Sequence, residues 1–204
     1  MDYLNVRKLM GHLLNSSLSD FIIFYYIPDV LDYFSIPNSL QNKLEDRYCE
    51  YKETPDEKRW TMFGKLHGKR DECAMEEKGQ FPTKHWKKCG ILHRENDLPA
   101  VLIGSVIKQW HIRGKPCRLN PNDPNVIFGT SNGWINENGF YHRDNDLPAY
   151  INTSNGVEIF YKWYCNGKPH RLNNPAVINT LDECVEWWKD GKQYTDGTFT
   201  TLIC

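Results

Sequence analysis

A chain of 204 residues, 40% apolar and 25% charged, is long enough for one domain with an appendage or for two small ones. Its net charge of −1 supplies no whole-chain field to draw nucleic acid or an anionic membrane. The longest apolar run, Phe21 to Ile27, falls far short of the roughly twenty residues of a membrane span.

Met1-Asp2 opens without the basic region of a leader, so a soluble intracellular protein with no transmembrane segment is expected. The seven Cys include no C-x-x-C, which predicts reduced thiols rather than a disulfide or zinc framework.

Taken in order, residues 1–55 have helical spacing. Leu9, Leu13, Leu14, Leu18, Phe21, Ile22 and Tyr25 recur at three- and four-residue steps, which predicts a helix stopped by Pro28. Pro37-Asn38-Ser39 offers capping chemistry for a second helix, with Leu40, Leu44, Tyr48 and Tyr51 on one face. Residues 52–59, KETPDEKR, predict a charged linker.

Beyond it the chain is periodic. Gly64, Gly90, Gly114, Gly139, Gly167 and Gly191 are separated by 26, 24, 25, 28 and 24 residues. Each follows a tryptophan (Trp60, Trp86, Trp110, Trp134, Trp163, Trp187) by four residues, or by five at Gly139. Three residues after each glycine stands His67, His93, Cys117, His142, His170 or Tyr194. Asn-Gly and Asp-Gly pairs, as at 155–156, 166–167 and 190–191, tolerate two successive positive φ angles and predict tight hairpins.

Residues 157–165 (VEIFYKWYC) alternate, with Val157, Ile159, Tyr161, Trp163 and Cys165 on the face predicted to be buried. Residues 100–103, 126–128 and 176–178 supply the partner strands, with Pro99, Pro124, Pro148 and Pro175 at their entries. The expected fold is α+β: a short helical N-terminal segment (1–55), then an elongated single-layer antiparallel β-meander of about six hairpin repeats (60–195), then a tail (196–204).

Several constellations bear on function. Gly129-Thr130-Ser131-Asn132-Gly133 matches the G-x-S-x-G of serine hydrolases, but Thr153-Ser154-Asn155-Gly156 repeats the turn one unit later, which marks hairpin punctuation. His67, His93, His142 and His170 recur about two strands apart, too far to share one zinc ion, so each imidazole is expected beside a Trp, bonded to a turn carbonyl.

Arg94, Arg118, Arg143 and Arg171 are each expected to brace their own loop through a nearby acid (Asp97, Asp123, Asp146), with Arg171 freer because Asn174 replaces its acid. The Trp column is expected to be core. Residues 81–120 carry eight basic side chains (Lys84, Lys87, Lys88, Arg94, Lys108, Arg113, Lys115, Arg118) against Glu95 and Asp97, a candidate surface for anionic lipid or nucleic acid.

The pattern W-x-x-x-G-[KI]-x-H-R-x-x-x-x-P-A, over residues 60–195, resembles the MORN-repeat variant: tandem β-hairpin units found in bacteria and, often behind a helical segment, in large DNA viruses of amoebae. The N-terminal helices resemble an F-box at Leu18, Ile22, Ile27-Pro28, Leu40 and Cys49. The MORN resemblance implies an extended sheet used for scaffolding and self-association.

A non-enzymatic interaction scaffold is therefore expected, with no catalytic residue, metal or cofactor, binding protein partners and forming a homodimer. The dimer follows from size. Twelve strands at ~4.8 Å span on the order of 55 Å, while a 12-residue helix shields only ~18 Å of that. Peripheral binding of anionic lipid or nucleic acid, or an F-box-like adaptor role, are the alternatives.

Overall fold

The computed structural model of this chain describes residues 33–35 and 37–194. They form a 14-stranded antiparallel sheet with one short α-helix. Its backbone is a meander through Cys49–Glu53, Glu57–Met62, Met75–Glu77, Thr83–His85, Val101–Ile103 and Ile107–Gln109. It continues through Val126–Phe128, Ser131–Gly133, Tyr150–Ser154, Val157–Lys162, Val177–Asn179 and Cys184–Lys189. Each strand pairs with the one before it.

The connections alternate between the two edges of the sheet. One edge carries the short turns, and a backbone hydrogen bond links each to the next: Lys78 N–H to Asp56, Gly104 to Pro82, Gly129 to Val106, Thr153 to Thr130, and Thr180 to Ile159. The other edge carries the six Trp–Gly segments. At Trp86, Trp110, Trp134 and Trp163 the chain leaves the sheet, makes a small side hairpin around the glycine, and returns through the Arg-containing loop to the next strand, whereas the strands holding Trp60 and Trp187 run on into their hairpins.

The side hairpins turn through two successive residues of positive φ. At Asn166-Gly167 and Asp190-Gly191 the sequence suits this; at Phe63-Gly64, Cys89-Gly90 and Arg113-Gly114 a less tolerant side chain takes the first place.

A small core joins the N-terminal elements to the sheet: Tyr33, Leu44 and Met62 are buried together, packed by Phe34, Tyr48, Cys49, Phe63 and Cys89. Four of the five residues that close the Arg loops are fully buried alanines: Ala74, Ala100, Ala149 and Ala176. Trp86, Trp110, Trp134 and Trp163 are buried as expected, while Trp60 and Trp187 are half-buried.

Three local expectations change. The second helix, α1, runs Asn38–Tyr48 behind Pro37, with no side-chain cap, and Tyr51 lies in the strand Cys49–Glu53 rather than on its face. Residues 52–59, read as a linker, are the turn and flanks of the first hairpin, closed by Thr54 N–H to the Glu57 carbonyl at 2.8 Å. Val157 is 64% exposed: a register shift at Asn152/Thr153 pairs Phe160 with Asn152 but Glu158 with Thr153, so the alternation slips. The helix expected over 9–25, and Leu18, Ile22, Ile27 and Pro28 with it, lies outside the described residues.

Among the described residues no helix is long and apolar enough to cross a membrane.

Candidate functional site

The conspicuous surface is the edge carrying the side hairpins, where a Trp and an Arg in four repeats (86, 110, 134 and 163) and a His at 67, 93, 142 and 170 are placed by a recurring geometry. Once the chain turns out of the sheet at Trp, the loop brings Arg back over the same indole. Guanidinium-to-ring distances are 3.8 Å (Arg94, Trp86), 4.4 Å (Arg118, Trp110), 3.8 Å (Arg143, Trp134) and 3.9 Å (Arg171, Trp163).

Both groups then reach back to one residue of the preceding repeat. The indole N–H donates to the carbonyl of Asp71, Asp97, Asn122 and Asp146 respectively, at 2.9 to 3.0 Å. The guanidinium forks onto the carboxylate of the same residue in the Asp71, Asp97 and Asp146 cases.

This corrects the expected pairing. Arg94, Arg118 and Arg171 fork onto the neighbouring loop's acid, Arg171 being fully paired despite Asn174; of the expected own-loop pairs, Arg118–Asp123 is present at 3.8 Å. Each Arg also donates through Nη1 to the proline carbonyl of its own loop: Pro99, Pro124, Pro148 or Pro175.

The histidines complete the ladder in a way opposite to expectation. Nδ1 of His67, His93, His142 and His170 accepts the backbone N–H of Cys89, Arg113, Asn166 and Asp190, the first turn residue of the next side hairpin, at 3.0 to 3.3 Å. These imidazoles accept a turn N–H rather than donate to a turn carbonyl. In His67, His93 and His142, with Nδ1 accepting, the ring proton sits on Nε2; His170 Nδ1 also lies 2.9 Å from Asp190 Oδ1.

At the N-terminal end, α1 inserts Glu45, 2% exposed, where the ladder begins. Its Oε1 accepts Tyr33 Oη–H at 2.6 Å, His67 Nε2–H at 3.0 Å and Lys88 Nζ at 2.6 Å, and its Oε2 accepts the Arg70 N–H. Burial alone would raise its pKa, but the bonds from His67, Lys88, Tyr33 and Arg70 outweigh that and hold the carboxyl well below its usual range. Nearby, burial pushes the Cys89 thiol up to about 11 and Cys49 up to about 12, away from nucleophilic thiolates. Cys89 Sγ lies 3.4 Å from His67 Nδ1, but that nitrogen already accepts the Cys89 N–H.

One junction departs from the rule. Between the Trp110 and Trp134 repeats, Cys117 stands in the His place, Asn122 in the Asp place and Asn125 in the Ala place, and the Trp134 turn has one extra residue. Gly139 N–H bonds within its own turn, to Asn136, instead of to the previous hairpin. The junction is rebuilt around the buried Asn125, whose amide donates to the Ile135 carbonyl at 2.7 Å and accepts the Ile135 N–H at 2.9 Å.

Of the eight basic residues of 81–120, Lys87, Lys88, Arg94 and Arg113 line one hollow beside α1, shared with the acids Glu45, Asp71, Glu72 and Glu95. Lys84 pairs with Glu76, Lys88 with Glu45, Arg94 with Asp71, Lys115 with Glu137 and Arg118 with Asp97. Among the described residues Lys87, Lys108 and Arg113 make no ion pair, and Arg113 lies 5.3 Å from the Phe34 ring centroid. Ser131 of the hydrolase-like motif sits between two strands, with Oγ bonded to Tyr150 Oη and Asn152 Nδ2, both at 2.8 Å.

Besides the hollow around Lys87, Lys88, Arg94 and Arg113, two more surfaces of the described residues are open to a partner. The turn edge exposes one apolar side chain per hairpin: Phe81, Val106, Phe128, Val157 and Leu181. On the sheet beside the Arg ladder lies an open hollow bordered by Arg143, Ile151, Glu158, Tyr161, Trp163 and Arg171. The sequence signalled neither, because exposure at a turn tip depends on which edge the turn falls on. Comparison with protein-family models, curated proteins and solved structures finds no match.

Proposed function

We propose that this chain is a non-enzymatic interaction scaffold, an array of β-hairpin repeats of the MORN-variant kind. It binds protein partners through the array and pairs with a second copy of itself. The observation that carries this reading is the recurrence of exposed apolar side chains, at the short turns from Phe81 on and in the Arg loops at Leu98, Leu119, Leu147 and Leu172. Along the ladder edge the His and most of the Arg side chains are committed to holding repeats together. Along the turn edge Phe81, Phe128, Val157 and Leu181 are each 60% exposed or more, and with Val106 they recur hairpin by hairpin. A repeated apolar hem on a rigid sheet suits protein contact. The basic segment supports lipid or nucleic-acid binding less, because five of its eight cations are answered by carboxylates.

Light scattering at micromolar concentration tests the reading on the full chain. A mass of twice 24.0 kDa, lost when Phe81, Phe128 and Leu181 are changed together to Ser, supports self-association through this edge. A wild-type monomer sinks it, and a dimer indifferent to the triple substitution places the contact elsewhere.

A further inference from the structure

The ladder contains one guanidinium whose acid is missing. Arg94, Arg118 and Arg171 each present the Nε and Nη2 edge to an aspartate one repeat back. Arg143 has the same stacking on Trp134, at 3.8 Å, and the same Nη1 bond to its own proline carbonyl, at 3.3 Å. At the corresponding place, however, stands Asn122. Arg143 Nη2 takes only the Asn122 main-chain carbonyl, at 3.2 Å, and its Nε–H has no partner among the described residues.

Burial disfavours the charge of Arg143; Glu158 offsets part of this but forms no ion pair with it. The residue also borders the open hollow whose other walls include Ile151, Tyr161, Trp163 and Ile178.

We propose that Arg143 is a receptor for a carboxylate supplied in trans, an Asp or Glu side chain of a partner segment, which occupies the seat that Asp71, Asp97 and Asp146 fill in the other repeats. The geometry favours a carboxylate over other anions. Three copies of the seat in the same molecule hold one bidentately on the same two donors, and a guanidinium fork matches a planar carboxylate. A dianionic phosphate would meet the nearby Glu158 charge, and the fork of the second guanidinium at the hollow, Arg171, is already taken by Asp146. The apolar walls of the hollow would accept a nonpolar residue beside the acid. The seat lies on the ladder edge, so it stands apart from the self-association reading, which concerns the turn edge.

The test uses the full chain and the side-chain Nε–H resonances of its arginines. N-acetylaspartate methylamide is the probe, with N-acetylasparagine methylamide and inorganic phosphate as controls. The expected result is a saturable shift of the Arg143 signal by the aspartate probe alone.

In Asn122→Asp the seat is filled from within, so the response should fall by about tenfold or more. That variant should also melt no lower than wild type, which keeps the comparison free of misfolding. No shift at Arg143, an equal shift with phosphate or with the asparagine probe, or an undiminished shift in Asn122→Asp would each overturn the proposal.

Discussion

Arg171 Nε and Nη2 lie 2.8 Å from the two carboxylate oxygens of Asp146, one repeat earlier in the chain. The same aspartate gives its main-chain carbonyl to the Trp163 indole, on whose ring Arg171 is stacked. Replacing Asp146 by Asn should therefore remove the fork and leave the indole bond. Asp146 is largely exposed, so the cost should be modest, about 1 kcal/mol by denaturant unfolding. A double-mutant cycle with Arg171→Gln should assign most of it to the pair. A near-zero coupling would show that the fork only decorates the surface.

The acceptor role of the histidines has its own signature. His93→Asn keeps an acceptor near Nδ1 for the Arg113 N–H, whereas His93→Phe leaves that N–H without one. The Phe variant should lose about 1 to 3 kcal/mol and the Asn variant clearly less. Equal losses would mean that ring volume, not the bond, is what the position supplies.

Stability should fall with acid in two windows. Burial holds the pKa of His67, His85, His93 and His111 below the ordinary imidazole value. Their contribution is complete above the unfolded-state pKa of about 6.5 and is lost as pH falls below it, by at most about 1.4 kcal/mol per residue per pH unit. Glu45 is also depressed, so its contribution is present above an unfolded-state value of about 4.3 and is lost as pH falls toward its folded value. Glu45→Gln should cost about 3 to 5 kcal/mol at neutral pH, because Lys88 then loses its buried carboxylate; it should flatten the lower window and lower the His67 pKa further, since Glu45 opposes burial there. Urea titrations from pH 3 to 8 on both proteins check this. An unchanged acid limb in the variant would remove Glu45 from the account.

Glu183 adopts φ 50 with an exposed side chain in the last of the short turns. Glu183→Gly should relieve that strain and raise stability by up to about 1 kcal/mol, net of the freedom glycine gains when unfolded. Thermal unfolding reads it directly, and a lower melting temperature would show that the Glu183 backbone is not strained.

The repeats were readable because period is a property of sequence: Trp60 to Trp187 and the six glycines mark the side hairpins without any knowledge of contacts. Asn166-Gly167 and Asp190-Gly191 named their own turn conformation, and Cys89-Gly90 and Arg113-Gly114 were placed only by register. Contacts between repeats were not readable. Arg94 has Asp97 three residues ahead, yet pairs with Asp71, because the loop folds across the preceding strand pair rather than onto itself.

Tyr51 kept helical spacing past the true end of α1, and only its pairing with Trp60 across the first hairpin moved it into a strand. Lys88 read as surface charge until α1 brought Glu45 over it. Cys117 and the extra residue before Gly139 stood out from the register singly, and Asn122 and Asn125 did not stand out at all. They meet at one junction, which a one-dimensional register cannot show.

In the ladder, the indole N–H, the guanidinium and the turn N–H all belong to the later repeat, and the aspartate, its carbonyl and the imidazole belong to the earlier one. Donors thus face the start of the chain and acceptors face its end. A chain emerging from the ribosome meets this arrangement in the order that suits it. Glu45 and α1 come out before His67 and Lys88, and Trp86, Trp110, Trp134 and Trp163 each arrive to find their carbonyl already made. The side-chain ladder can then assemble repeat by repeat during translation, while backbone bonds such as Gly68 N–H to Lys87 and Arg94 N–H to His111 close as the next repeat arrives. The same polarity makes a truncation from the C-terminal end leave intact acceptors, while one that removes α1 strips the first repeats of the buried carboxylate they close upon.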